Sequence, residues 1–110
     1  CKKAAYLAKE ELGIDVGIVD MHTIKPLDVE MIKAVGKKTG AIITVEDHSV
    51  NGGLGGAVAE TLCEAGWGGK FKKIGMPDEF AVLGHLKDIY HYYGIDCDGI
   101  LAQLREWFAK

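Results

Sequence analysis

Residues 41–56, Ala-Ile-Ile-Thr-Val-Glu-Asp-His-Ser-Val-Asn-Gly-Gly-Leu-Gly-Gly, constrain the fold more than any other stretch of this chain. Ala41 to Val45 form an uninterrupted apolar or β-branched run, the pattern of a parallel strand covered on both faces. Glu46, Asp47 and His48 then fall at the carboxyl end of that strand, where ligand chemistry gathers in open α/β sheets. The glycines that follow let the backbone turn sharply and let a helix start close against the sheet. The stretch reads as strand, polar cluster, glycine turn, helix.

The flanking sequence repeats this alternation. Lys3 to Leu12 reads as a helix with Ala5, Ala8 and Leu12 on one face and Gly13 beyond its last turn. Val16 to Met21 reads as a short strand, and 23–27 as a connecting loop. Asp28 is placed to cap a helix ending near Lys38, with Leu27 packing on Ile32. Leu54 to Ala65 carries Leu54, Val58 and Leu62 at spacing four and stops at Gly66. Phe71 to Met76 reads as a third strand. A helix from His85 to Gly94 presents Leu86, Ile89, Tyr90 and Tyr93 on one face, and Asp98 reads as the cap of a last helix with Ile100, Leu104, Trp107 and Phe108 inward. Helix–strand alternation with short loops implies βαβ units, hence a three-layer α/β/α domain with a mostly parallel sheet.

Composition narrows the function classes. The 110 residues are 48% hydrophobic and 26% charged, which is ordinary globular composition for one domain spanning 1–110. A net charge of −3 with no basic run argues against a general nucleic-acid binder. Cys1, Cys63 and Cys97 are odd in number and widely spaced, so neither a disulfide framework nor a zinc site is expected, and a reducing cytoplasm fits. No apolar run approaches the ~20 residues that span a bilayer. The chain opens in mid-pattern at Cys1-Lys2-Lys3, as at an internal boundary.

Each polar constellation has a bland reading beside its functional one. The glycine run at a helix N-terminus offers N–H groups and a dipole to an anion, or it serves close helix–sheet packing. It is neither a dinucleotide fingerprint, because Val58 takes the third glycine position, nor a P-loop. Glu46 and Asp47 are adjacent on a strand and point to opposite sides, so they make a poor acid/base pair. His48-Ser49 is adjacency without a nucleophile elbow. His85, Asp88 and His91 form a polar stripe that reads as a solvated helix face rather than a metal site. Asp20, His22 and Lys25 follow the strand expected at 16–21 and are expected on the same rim as Glu46 to Ser49. Trp67, Trp107 and Tyr93 read as core or subunit-interface anchors.

Three segments in register carry a family resemblance: Ile24-Lys25-Pro26-Leu27-Asp28, Thr44-Val45-Glu46-Asp47-His48-Ser49 with Gly52-Gly53-Leu54-Gly55, and Ile74-Gly75-Met76-Pro77-Asp78. Together with the closing Tyr92-Tyr93-Gly94-Ile95-Asp96, they resemble the C-terminal domain of transketolase, particularly the form split over two chains. The likeness runs over nearly the whole chain.

The resemblance implies a thiamine-diphosphate-dependent enzyme that moves two-carbon ketol units between sugar phosphates in the pentose phosphate pathway. It implies that the diphosphate and its divalent metal are held by the N-terminal domain and that the middle domain supplies the glutamate that activates the cofactor, so no catalytic, cofactor or metal residue is carried onto this chain. The isolated domain is then expected to be inactive, a structural and dimer-forming part of a cytoplasmic homo-oligomer. Its partners would be an N-terminal subunit or upstream domains, with no nucleic acid or membrane. Matching positions for a candidate anion or regulatory site are Glu46, His48, Gly52, Gly53 and Gly55, with Lys25 nearby. The family's sheet has five strands, so two strands are expected upstream of Cys1 and the chain is expected to be a fragment. The same domain closes the β subunit of 2-oxo acid dehydrogenases and deoxyxylulose phosphate synthase, which keeps those activities open. A stand-alone anion-binding module is the third reading.

Overall fold

A computed structural model describes residues 1–77, 79–80 and 83–108; Asp78 of the third motif and the side chain of His48 lie outside the described residues. The chain divides into two compact units, Met21–Glu79 and Cys1–Asp20 with Phe80–Lys110.

The first of these units holds the sheet. Asp28 accepts a hydrogen bond from the Met31 N–H at 3.2 Å and starts α2, Val29–Thr39. Gly40, at φ +71°, ends α2 and turns the chain into β1, Ala41–Ser49. Helix α3, Leu54–Glu64, then crosses to β2, Lys70–Met76. β1 and β2 pair in parallel, with Ala41 opposite Lys70 and Val45 opposite Ile74, and the register shifts between Val45 and Ser49. This is the βαβ unit expected from the alternating pattern. Ile32 of α2 and Val58 and Leu62 of α3 form the buried cluster, with Leu27, Ile42, Leu54, Trp67 and Phe71 packed around it. Burying each of those three aliphatic side chains is worth about 1.5–3 kcal/mol. Leu27 against Ile32 is the hydrophobic staple that the sequence anticipates at the start of α2.

The second unit is helical. α1, Lys2–Leu7, runs on into a wider π-helical turn, Ala8–Leu12, ended by Gly13 at φ +67°. Ala4 and Ala8, rather than Ala5 and Leu12, are its buried residues. Ala4 and Ala8 stand one α-turn apart on a single stripe, and the wider turn beyond Ala8 leaves Leu12 only half-buried. α4, Leu86–Tyr93, ends at Gly94, and α5, Cys97–Phe108, packs on α1 and the π turn and buries Ile100, Leu101 and Leu104.

Two expectations are corrected. No strand forms at 16–21 among the described residues: Ile18 and Val19 are 44% and 46% exposed. Apolar β-branched residues set a preference for extended backbone, but a strand exists only where a neighbour receives its hydrogen bonds. β1 finds its described neighbour in β2. The cap of α5 is Asp96, not Asp98: Asp96 Oδ1 accepts the Gly99 N–H at 2.9 Å, one turn into the helix. With two aspartates flanking Cys97, composition leaves the register open and the hydrogen bond decides it.

Candidate functional site

The polar cluster after Val45 is built by alternation along β1. Thr44 and Glu46 share one face, both buried at 6% and 8% exposure, whereas Asp47 is exposed. The opposite orientation expected of Glu46 and Asp47 therefore holds.

Glu46 reaches the first turn of α3. One carboxylate oxygen accepts the Leu54 N–H at 2.5 Å and the other the Gly55 N–H at 2.8 Å. The first four N–H groups of a helix lack partners within it, and the positive end of the dipole favours an anion there. Gly53 sits at the N-cap position with no side chain of its own to serve. A Cβ on Gly53 would collide with the Glu46 carboxylate, and one on Gly55 would lie 2.7 Å from Lys73 and 2.8 Å from Thr44 Oγ1. The two glycines are therefore required by the close approach of the strand end to the helix.

The turn is tied down on its other side. The Val50 N–H donates to the Met76 carbonyl at 2.9 Å, the Asn51 N–H to Ser49 Oγ at 3.2 Å, and Lys73 Nζ to the Val50 carbonyl at 2.9 Å. Lys73 escapes a motif-based reading, and Thr44 opens the second motif without a role assigned to it there. Period two from Glu46 back to Thr44 is the signal that places Thr44 under α3, but nothing in the sequence marks Lys73 as reaching the turn.

Of the residues matched to a candidate anion site, the structure unites Glu46, Gly53 and Gly55, with Gly52 in the turn at φ +77°. Lys25 is exposed in the loop before α2, at a cis Lys25–Pro26 bond, and no described hydrogen bond or ion pair joins it to the turn. The rim expected to gather Asp20, His22 and Lys25 loses its basis with the strand at 16–21. His22 bonds its neighbour Thr23 at 3.2 Å. Glu46 itself fills the position that an external anion would take, and its charge opposes a phosphate or diphosphate there. The residues of this turn accordingly do not fit thiamine diphosphate or its metal.

His85, Asp88 and His91 are exposed, as a solvated helix face requires. His91 instead turns to Asp96, with Nδ1 2.7 Å from Oδ2. His91, Asp96 and Asp98 bring polar atoms within 4.8 Å of one another, but Asp96 is engaged as the cap of α5, so the group is a helix corner rather than a metal site.

A family model described as the transketolase C-terminal domain matches residues 1–100, which include this strand end and glycine turn. The chain belongs to the transketolase C-terminal domain family. Among curated relatives, it is 44% identical over 106 residues to one of the subunits of the apulose-4-phosphate transketolase of Phocaeicola vulgatus, covering 96% of this chain and 33% of the relative. It is 36% identical over 103 residues to the 1-deoxy-D-xylulose-5-phosphate synthase of the same species, covering 94% of this chain and 16% of the relative. Among solved structures, a split-gene transketolase in the form of an inactive β4 tetramer superposes with a TM-score of 0.79 at 36% identity, over 96% of this chain and 34% of the other. The transketolase-like α/β fold stands on that superposition, and the chain spans about a third or less of these relatives.

Proposed function

We propose that this chain is the C-terminal part of a transketolase subunit of the split type. Assembled with the chain or domains that hold thiamine diphosphate and a divalent metal, it serves the transfer of two-carbon ketol units between sugar phosphates. Its own contribution is structural: a βαβ layer whose strand end is locked by Glu46 and which helps to form the interface between subunits of a cytoplasmic homo-oligomer.

The observation that carries this reading is the likeness, over 96% of the chain, to a split-gene transketolase chain in the form of an inactive β4 tetramer. The turn chemistry supports it, since two of the donors at the N-terminus of α3, the Leu54 and Gly55 N–H groups, are taken by an internal carboxylate. The experiment is an assay of ketol transfer by the 110-residue chain alone and by the gene product that contains it, mixed with the larger transketolase subunit. No turnover alone and ketol transfer in the mixture are expected. Turnover by the chain alone would overturn the proposal.

The likeness to 1-deoxy-D-xylulose-5-phosphate synthase favours one alternative, the C-terminal domain of such a synthase or of a 2-oxo acid dehydrogenase β subunit. Consumption of a 2-oxo acid without ketol transfer by the assembled protein would select it.

A further inference from the structure

We infer that the charge on His91 sets how firmly α4 is held against α5. Helix α4 has no buried residue, and Leu86 and Tyr92 are 63% and 66% exposed. Packing alone therefore anchors it weakly. Its firm attachment is at the corner with α5. Gly94 turns the chain at φ +71°, the Ile95 N–H donates to the Tyr90 carbonyl at 2.9 Å, and Ile95 is buried. A Cβ on Gly99 would run into the Gly94 backbone, so the two segments touch there. Across this corner the His91 imidazole, in the last turn of α4, meets the Asp96 carboxylate that caps α5.

A cation suits His91 twice. It lies at the negative end of the α4 dipole, and at 2.7 Å from Asp96 it donates a charge-assisted hydrogen bond. The charges around it are Asp88 and Lys87 on α4 and Asp96 and Asp98 from the start of α5. The bond to Asp96 first, then the three carboxylates, raise its pKa above the ordinary 6.5. A raised value means that the tether is fully present below pH 6.5 and fades as pH rises through the folded value. A neutral imidazole can still donate from Nδ1, but without charge assistance. His85 stands at the opposite, N-terminal end of α4.

The test is backbone amide exchange over residues 86–93 of the full chain, expressed as protection relative to the intrinsic rate, at pH 6 and pH 8 and constant ionic strength. Protection of α4 should fall about two- to fivefold between the two, the scale of a surface charge at a helix end. In His91→Gln this fall in protection should vanish. Asp96→Asn retains a capping oxygen for Gly99 and should also flatten the response of α4 while leaving α5 protected. Equal protection of α4 at both pH values in the native chain, or the same fall persisting in either variant, would overturn the inference. If one variant does not fold, the other decides.

Discussion

Glu46 and Gly55 are nine residues apart, yet the Gly55 N–H donates to the Glu46 carboxylate at 2.8 Å, so the strand end supplies the cap that the helix start lacks. The companion bond from Leu54 makes the carboxylate bidentate to two successive amides. This bond pair fixes the angle at which α3 leaves the sheet, and with it the placement of Val58 and Leu62 in the buried cluster.

Replacing Glu46 with Ala leaves two helix-terminal donors beside an emptied buried position. The expected loss is about 2–3 kcal/mol in urea unfolding. Glu46→Gln keeps one acceptor oxygen and should lose about half as much. An unchanged midpoint for Glu46→Ala would show that water replaces the carboxylate without cost.

The glycines of the turn are unequal. Gly53→Ala and Gly55→Ala place a methyl group against Glu46 or against Lys73 and Thr44, and each should lower stability by about 1–3 kcal/mol. Gly56 faces open space and lies within α3, so Gly56→Ala should gain up to about 1 kcal/mol from helix propensity. Melting temperatures of the three variants, ranked against the native chain, check the order. Equal effects would mean that flexibility, not close approach, explains the run.

Asp28→Ala removes the acceptor for the Met31 N–H and should cost about 1 kcal/mol, with Asp28→Asn or Asp28→Ser restoring most of it. Denaturant midpoints of the set provide the comparison, and failure of Ser to rescue would assign the loss to something other than capping.

Because Glu46 occupies the N-terminus of α3, inorganic phosphate should not raise the melting temperature beyond chloride of equal ionic strength. In Glu46→Gln the repulsive charge is gone, and a rise confined to that variant would show that the native carboxylate excludes the anion. A rise in the native chain would contradict this occupancy.

The acid limb of stability should depend on Asp96. The Gly99 N–H first, and His91 second, hold its carboxyl below the ordinary 3.8. A depressed value contributes stability above pH 3.8 and loses it as pH falls through the folded value. Asp96→Ala should therefore be less stable than the native chain at pH 6 and should converge with it as pH falls through the folded value of Asp96. A parallel offset across the whole range would attribute the loss to packing.

Much of this chain is legible from local pattern. The run Ala41–Val45 and the spacing of Leu54, Val58 and Leu62 specify β1 and α3 because side-chain period and burial follow directly from backbone geometry. Asp28 before Val29 and the glycines after Thr39 and Tyr93 mark helix ends because caps act within a turn. Three motifs in register also point to the family before any tertiary contact is known.

The tertiary structure decided what depends on a partner distant along the chain. Val16–Met21 has strand composition, but no described neighbouring strand pairs with it. Asp96 and Asp98 are equal candidates until a hydrogen bond to Gly99 selects one. Read in its strand, Glu46 is a candidate for an anion or regulatory site. It is a helix cap because the chain reverses through Gly52 and Gly53 and returns the first amides of α3 to its carboxylate, a closure that no local spacing specifies.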